Sequence, residues 1–367
     1  MTMRCGSRSI ARTARAASGF LVALGLISIL AGPAHAQDRG DVTLRVASYG
    51  GAFTAAQRKY VGEIFTQKTG IKVQYIDGSS SEEVAKLMAS KGREPPFDVM
   101  YMVKDERDAA LGLGLLAKLD PSIVTNLKYL YDEAKNPDGY GPGIAFYSVG
   151  IAYNYKKFEA AGIPAPTSWR DLWNPKLAGR VGIPHPQLSY GREFLLAVTK
   201  LLVGGDESTP EKGVDYISQI KAYSYYTSSA PLTAAFGSGD VWAAPMINAQ
   251  TWRLIDMGQP LRYVIPQEGG VGNLDTIDLV AGSPHPKEAQ LYINMTLSPL
   301  AQLGNATDNP LGPSNKLLVP ILEQYPEQAQ RFPSSPADLK KLYMPDWLKF
   351  LPHRDDVIDY WNRKMSG

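Results

Sequence analysis

Residues 42–76 read VTLRVASYGGAFTAAQRKYVGEIFTQKTGIKVQYI. Leu44-Arg45-Val46-Ala47 has the length and composition of a short strand, and Ser48-Tyr49-Gly50-Gly51 is a glycine turn. From Phe53 to Thr69 the apolar residues Phe53, Ala56, Tyr60, Ile64 and Phe65 recur at helical spacing. Gly70 ends that helix, because a residue without Cβ takes the left-handed C-cap conformation at low cost. Ile71 to Ile76 alternates as a second strand. The unit is strand, loop, helix, strand, and it opens a parallel sheet. Loops at the carboxyl ends of such strands are where α/β proteins bind ligands.

The first 36 residues read as an export signal. Arg4, Arg8, Arg12 and Arg15 form a basic start, Phe20 to Leu30 is an apolar run, and Ala34-His35-Ala36 is a small-x-small cleavage site before Gln37. The apolar run is too short to span a bilayer comfortably. The only cysteine, Cys5, precedes that run, so the remaining 331 residues carry no disulfide or thiol chemistry. Export without disulfides suits a Gram-negative periplasm. Losing the four arginines takes the formal charge from +2 to −2, which leaves no basic character to suggest nucleic acid. A chain of this length exceeds what one core usually serves, so two domains are expected.

The β–α alternation continues along the chain. Ser79 followed by Glu82 and Glu83 starts a capped helix, and Phe97 to Met102 is a buried strand. Ile144 to Asn154 is extended and β-rich, and reads as a first crossing between domains. Thr167 to Trp173 is a short capped helix, 180–183 a strand, 191–203 a helix, 211–223 an amphipathic stretch, 241–246 a strand, 251–257 a helix and 261–266 a strand. Val271 to Val280 is the return crossing, and the tail is helical. Two crossings between two α/β domains make a hinge.

An ordered set of segments then resembles a known family. SYGGAF at 48–53, FDVMYM at 97–102, YSVGIAYN at 147–154, TSWRDLWNPKLAGRVGI at 167–183, GSGDVWAAPMINAQ at 237–250, PQEGG at 266–270, SPHPKEAQLYIN at 283–294 and NPLGPSN at 309–315 stand in the order found in periplasmic solute-binding proteins of ABC importers, in the spermidine/putrescine-binding branch. The resemblance implies an α/β, two-lobed periplasmic binding protein fold (type II): two α/β domains joined by two crossing segments, with a central cleft. Lobe one would comprise 37–146 and 276–367, with C-terminal helices able to pack across lobes, and lobe two 147–275. It also implies a periplasmic monomer that closes on a small organic solute and passes it to an inner-membrane ABC permease, with no catalysis, cofactor, metal or nucleic acid.

Polyamine binders hold ammonium groups with carboxylates and box the chain with aromatics, which offsets lost hydration and adds cation–π attraction. By the resemblance, Glu193 and Asp275 match two of the family's acids and Tyr49 one of its aromatics. Tyr190 stands where another acid is expected, and Ile247 and Asn273 where tryptophans are expected. The thinned pocket suits a smaller amine or a zwitterion. The candidate ligand residues are Tyr49, Gly50, Tyr101, Tyr147, Tyr190, Arg192, Glu193, Ser229, Asn248, Trp252, Asn273, Asp275 and Ser314. Arg192 leaves open an anionic ligand such as a carboxylate or phosphonate, since arginine grips these bidentately. Tyr225-Tyr226 raises ferric iron, but the pair precedes the strand after which ferric binders place theirs. His185, His285 and His353 lack metal-ligand spacing. A hydrolase would need a non-contiguous site, because no nucleophile elbow, H-E-x-x-H helix or P-loop occurs.

Overall fold

The computed structural model describes residues 42–366 apart from Gly92 and Pro137, so the export signal read at 1–36 lies outside the described residues. The opening unit folds as its pattern expects. The apolar positions of β1 (Thr43–Ser48) are buried, and it pairs in parallel with β2 (Lys72–Asp77). Gly50 and Gly51 take φ of 78° and 56°, a region that L side chains rarely enter, and so turn the chain directly from β1 into the helix. Gly70 caps that helix in the left-handed conformation with its N–H on the Thr66 carbonyl. One departure is a π-helical segment at Arg58–Gly62. Just before it the Tyr75 hydroxyl donates to the Gln57 carbonyl at 3.0 Å, so a side chain from β2 enters the helical ladder there.

The remaining strands are β3 (Val99–Val103), β4 (Leu116–Ala117), β5 (Gly143–Asn154), β6 (Val181–Pro184), β7 (Ala222–Tyr226), β8 (Ala243–Ile247), β9 (Leu261–Val264), β10 (Gly270–Val280), β11 (Gly312–Pro313) and β12 (Leu342–Tyr343). The main order is β2-β1-β3-β10-β5-β8-β6-β7. One half, β1 to β3, is parallel, and the other half, β6 to β8, is parallel too. Between them run β5 and β10, antiparallel to each other and buried along their whole length. Asp275–Leu279 of β10 pairs with β3, while Val149–Tyr153 of β5 pairs with β8. The two segments read as crossings are thus adjacent strands that join the two halves. Such fully buried strands read as continuous apolar runs, not as alternation.

The amphipathic stretch at 211–223 is shorter as a helix than its pattern suggests. It ends at Ile217, and Ala222–Tyr226 is a strand parallel to β6. His185, read as a loop residue, is buried. Its Nε2 lies 2.9 Å from Asn362 and its ring meets Trp361 edge-on, which ties the helix Arg354–Met365 to the loop after β6. Among the described residues no helix is long and apolar enough to cross a membrane.

Candidate ligand-binding cleft

The carboxyl ends of the six strands in the two parallel halves, β1 to β3 and β6 to β8, open onto one cavity of about 630 Å³. Residues after β1, β2 and β3 line it from one half of the sheet, and residues after β6, β7 and β8 from the other. Tyr147 of β5 and Asp275 of β10 reach it from the middle. Ligands bind at such strand ends because helix N-termini and loop backbones present free polar groups there.

Asp275 is 5 % exposed and sits where the β10–β5 register shifts by a bulge, a device that re-aims a side chain. Its Oδ1 accepts from the Tyr49 hydroxyl at 3.1 Å. Burial pushes its carboxyl up to about 7, which the Tyr49 hydrogen bond partly opposes, and no cation acts on it. Burial, reinforced by the Asp275 charge, raises the Tyr49 phenol as well. The Tyr49 ring packs on Phe53 with centroids 4.6 Å apart, so aromatic contact fixes the donor before a ligand arrives.

Glu193 is fully buried behind this wall and does not line the cavity. Tyr147 donates to its Oε1 at 2.7 Å, Asn273 donates to the same oxygen, and Oε2 is buried without a partner. Tyr147 and Asn273 are register partners on β5 and β10, so Glu193 pins the helix Ser189–Ala197 to both central strands. Burial also raises its carboxyl to about 7.

Arg192 lines the cavity, but its guanidinium is taken. Nε donates to Asp105 at 2.8 Å, Nη2 to Asp105 and to Glu106 at 3.2 Å, and Nη1 to the carbonyls of Pro186 and Gln187. The anion grip expected of Arg192 is therefore already used on the chain's own carboxylates. Arg253 also lines the cavity. It is half-buried and has neither a side-chain hydrogen bond nor an ion pair among the described residues. Burial alone acts on its titration, lowering it.

Of the candidates, Tyr49, Gly50, Tyr147, Tyr190, Arg192, Ser229 and Asp275 come together around the cavity, and six do not. Two of those six are Glu193 and Asn273, just described. Tyr101 is a core residue whose hydroxyl bonds Gln57 and Tyr292, and it supports the cleft only through the edge of Phe53. Asn248 accepts from the Ser148 N–H and donates to the Pro310 and Arg331 carbonyls, clamping β5 to the C-terminal segment. Ser314 is buried against Gln302. Trp252 faces a second cavity, with the Arg331 guanidinium 5.1 Å over its ring. The tyrosine pair lies in β7 and lines neither cavity.

Sequence reasoning missed Arg253 and Gln250, whose Oε1 is buried without a partner. On the helix Asn248–Asp256 it picked Asn248 and Trp252, neither of which lines this cavity. Ala249 and Arg253 stand four residues apart on the cavity side.

The model for "Bacterial extracellular solute-binding protein" matches residues 61–333. The chain is 27% identical over 298 residues to the spermidine/putrescine-binding periplasmic protein of Salmonella typhimurium, covering 77% of this chain and 80% of that one. It is 27% identical over 250 residues to spermidine/putrescine-binding periplasmic protein 1 of Haemophilus influenzae, covering 64% and 65% respectively. In fold it is similar to an ABC transporter structure from Clostridium perfringens, with a TM-score of 0.72 at 24% identity over 88% of this chain and 99% of that one. With the family model spanning most of its length and a two-lobed, type II binding-protein architecture, this chain belongs to the bacterial extracellular solute-binding proteins.

Proposed function

We propose that this protein captures a small organic solute bearing an amine in the cleft and delivers it to an ABC permease. Asp275 carries the reading. It is a buried carboxyl that faces the cavity beside a tyrosine wall, with no cation of its own. A ligand ammonium supplies the missing charge, and with water excluded that pair gains more than one on the surface. Two of the relatives are named for spermidine and putrescine, which are amines.

Lobe one is 37–146 with 276–367, and lobe two is 147–275. The pairing of β5 and β10 with both halves of the sheet supports this division. The helix Arg354–Met365 packs on lobe two through Trp361 against His185 and Tyr225. Closure selects the state in which solute touches both lobes. The solute is captured without catalysis, as the match to a solute-binding family supports. The chain works as a periplasmic monomer after cleavage behind Ala36.

Native mass spectrometry of protein taken from its own host tests the ligand class, with small-angle scattering before and after removal of the solute. The expected result is a retained amine and a smaller radius of gyration when it is bound. A retained solute without an amino group overturns the amine reading, and an unchanged radius overturns closure.

A further inference from the structure

We propose that Arg253 holds an acidic group of the ligand, so that the solute is a zwitterion gripped at its amine by Asp275 and at its acid by Arg253. The inference rests on the amine reading and adds a second anchor to the same cleft.

Arginines withdrawn from water elsewhere in the chain are matched. Arg107 pairs with Asp108 and Asp138, Arg192 with Asp105 and Glu106, and Arg331 with Asp256. Arg253, half-buried, has no such partner among the described residues. A cation removed from water costs free energy unless it is paired. A binding cleft is a place where that cost is tolerated, because the ligand offsets it.

The surroundings favour the same sign of ligand charge. Arg253 stands in the last turn of Asn248–Asp256, on the face that Ala249 turns to the cavity, and Ala249 and Gln250 of the first turn line the same cavity. That helix has no side-chain cap, nor do Ser189–Ala197 and Ser229–Ser238, whose first residues line the cavity as well. Uncapped N–H groups and the positive ends of helix dipoles in the same cavity favour an anionic group of the ligand. Asp275, nearly all buried and on the central strand β10, meets only the Tyr49 hydroxyl among the described residues. Tyr190, Ser229 and Gln250, which also line the cavity, are neutral and bond one another, while the charged Glu106 and Arg192 of the lining are paired with each other. A diamine would set one ammonium against Arg253, and a plain acid would leave Asp275 unmatched. An amine and an acid on one short chain satisfy both.

Calorimetry on the exported protein uses three probe series of three to six carbons: ω-amino carboxylates, α,ω-diamines and unbranched monocarboxylates. The best amino carboxylate is expected to bind at least tenfold tighter than the diamine or monocarboxylate of the same length. Arg253→Gln should cost the amino carboxylate at least tenfold and leave the diamine unchanged or tighter, and Arg253→Lys should recover part of the loss. Asp275→Asn should weaken both amine-bearing series. Diamines binding tightest, with Arg253→Gln neutral, overturns the acid site and leaves the amine reading standing. Monocarboxylates binding as well as amino carboxylates, with Asp275→Asn neutral, overturns the amine reading and the zwitterion with it, but keeps Arg253 as an acid anchor. No binding in any series overturns the zwitterion.

Discussion

Arg192 and Arg253 line the same cavity from two helices of one half of the sheet, yet their surroundings are opposite. Arg192 is buried and every nitrogen of its guanidinium donates, mostly to Asp105 and Glu106 on the helix that follows β3. Arg253 is less buried, and its guanidinium has no hydrogen bond or ion pair among the described residues. The first arginine joins the two sides of the cleft, and the second is free for a ligand. Charge in a cleft is therefore a poor guide to a ligand by itself, and counting partners separates the structural cation from the available one. The same contrast divides the carboxyls. Glu193 is held by Tyr147 and Asn273 behind the wall, whereas Asp275 faces the cavity with one hydroxyl.

The largest effect is expected at Arg192. Arg192→Met leaves Asp105 without a cation and Glu106 with only Arg354, and uncompensated buried charge costs about 3–5 kcal/mol. Urea unfolding of the unliganded protein measures it. A loss below about 1 kcal/mol would place the pair in water, as surface pairs are, and would mean that the cleft rests open in solution.

Next comes the contrast of carboxyls. Asp275→Asn should weaken an amine-bearing ligand at least tenfold, about 1.4 kcal/mol or more. Glu193→Gln should shift that affinity by less than about threefold, because Glu193 does not reach the cavity. Calorimetry decides, and equal losses at both positions would erase the distinction between facing carboxyl and buried brace.

The pH dependence sharpens it further. In the free protein burial raises the Asp275 carboxyl to about 7, so below that pH a bound ammonium must displace a proton. Affinity should climb by about tenfold per unit up to pH 7 and then level. Stability of the free protein runs the other way. The folded state keeps a proton that the unfolded chain has lost, so this carboxyl costs stability increasingly from the ordinary carboxylate range up to about 7. Glu193 titrates in the same window. Asp275→Asn should flatten the affinity profile while Glu193 still titrates, and a slope that persists in that variant assigns the effect to Glu193.

The smallest effect is expected on the far face of the helix Asn248–Asp256. Trp252 lines the second cavity, and its indole N–H has no partner. Trp252→Phe should leave ligand affinity within about twofold, under half a kcal/mol. A larger loss by calorimetry would couple the two cavities.

The opening unit was legible because its causes are local. Gly70 needs a left-handed backbone, Ser79 and Glu82 cap each other reciprocally, and Phe53 to Phe65 repeats at helical spacing. The β5 and β10 crossings were legible too, as apolar runs near the places where the chain changes sides. The strand at Ala222–Tyr226 was not, because its pairing with β6 is decided by tertiary contact and not by the amphipathic pattern just before it.

By itself the sequence determined the β–α alternation, the two crossings, the family and the placing of Tyr49 and Asp275 at strand ends or crossings. Those follow from backbone propensity, apolar periodicity and short motifs, which act over a few residues. Only the tertiary structure decided which polar side chains were left over. Asp105 and Glu106 stand almost ninety positions from Arg192, and their contact removes that arginine from the ligand's reach. Asn273 and Tyr147 likewise take Glu193. Helix orientation turns Trp252 away and Arg253 inward. A side chain's availability depends on every group within hydrogen-bond range, and those groups are gathered from distant parts of the chain by packing.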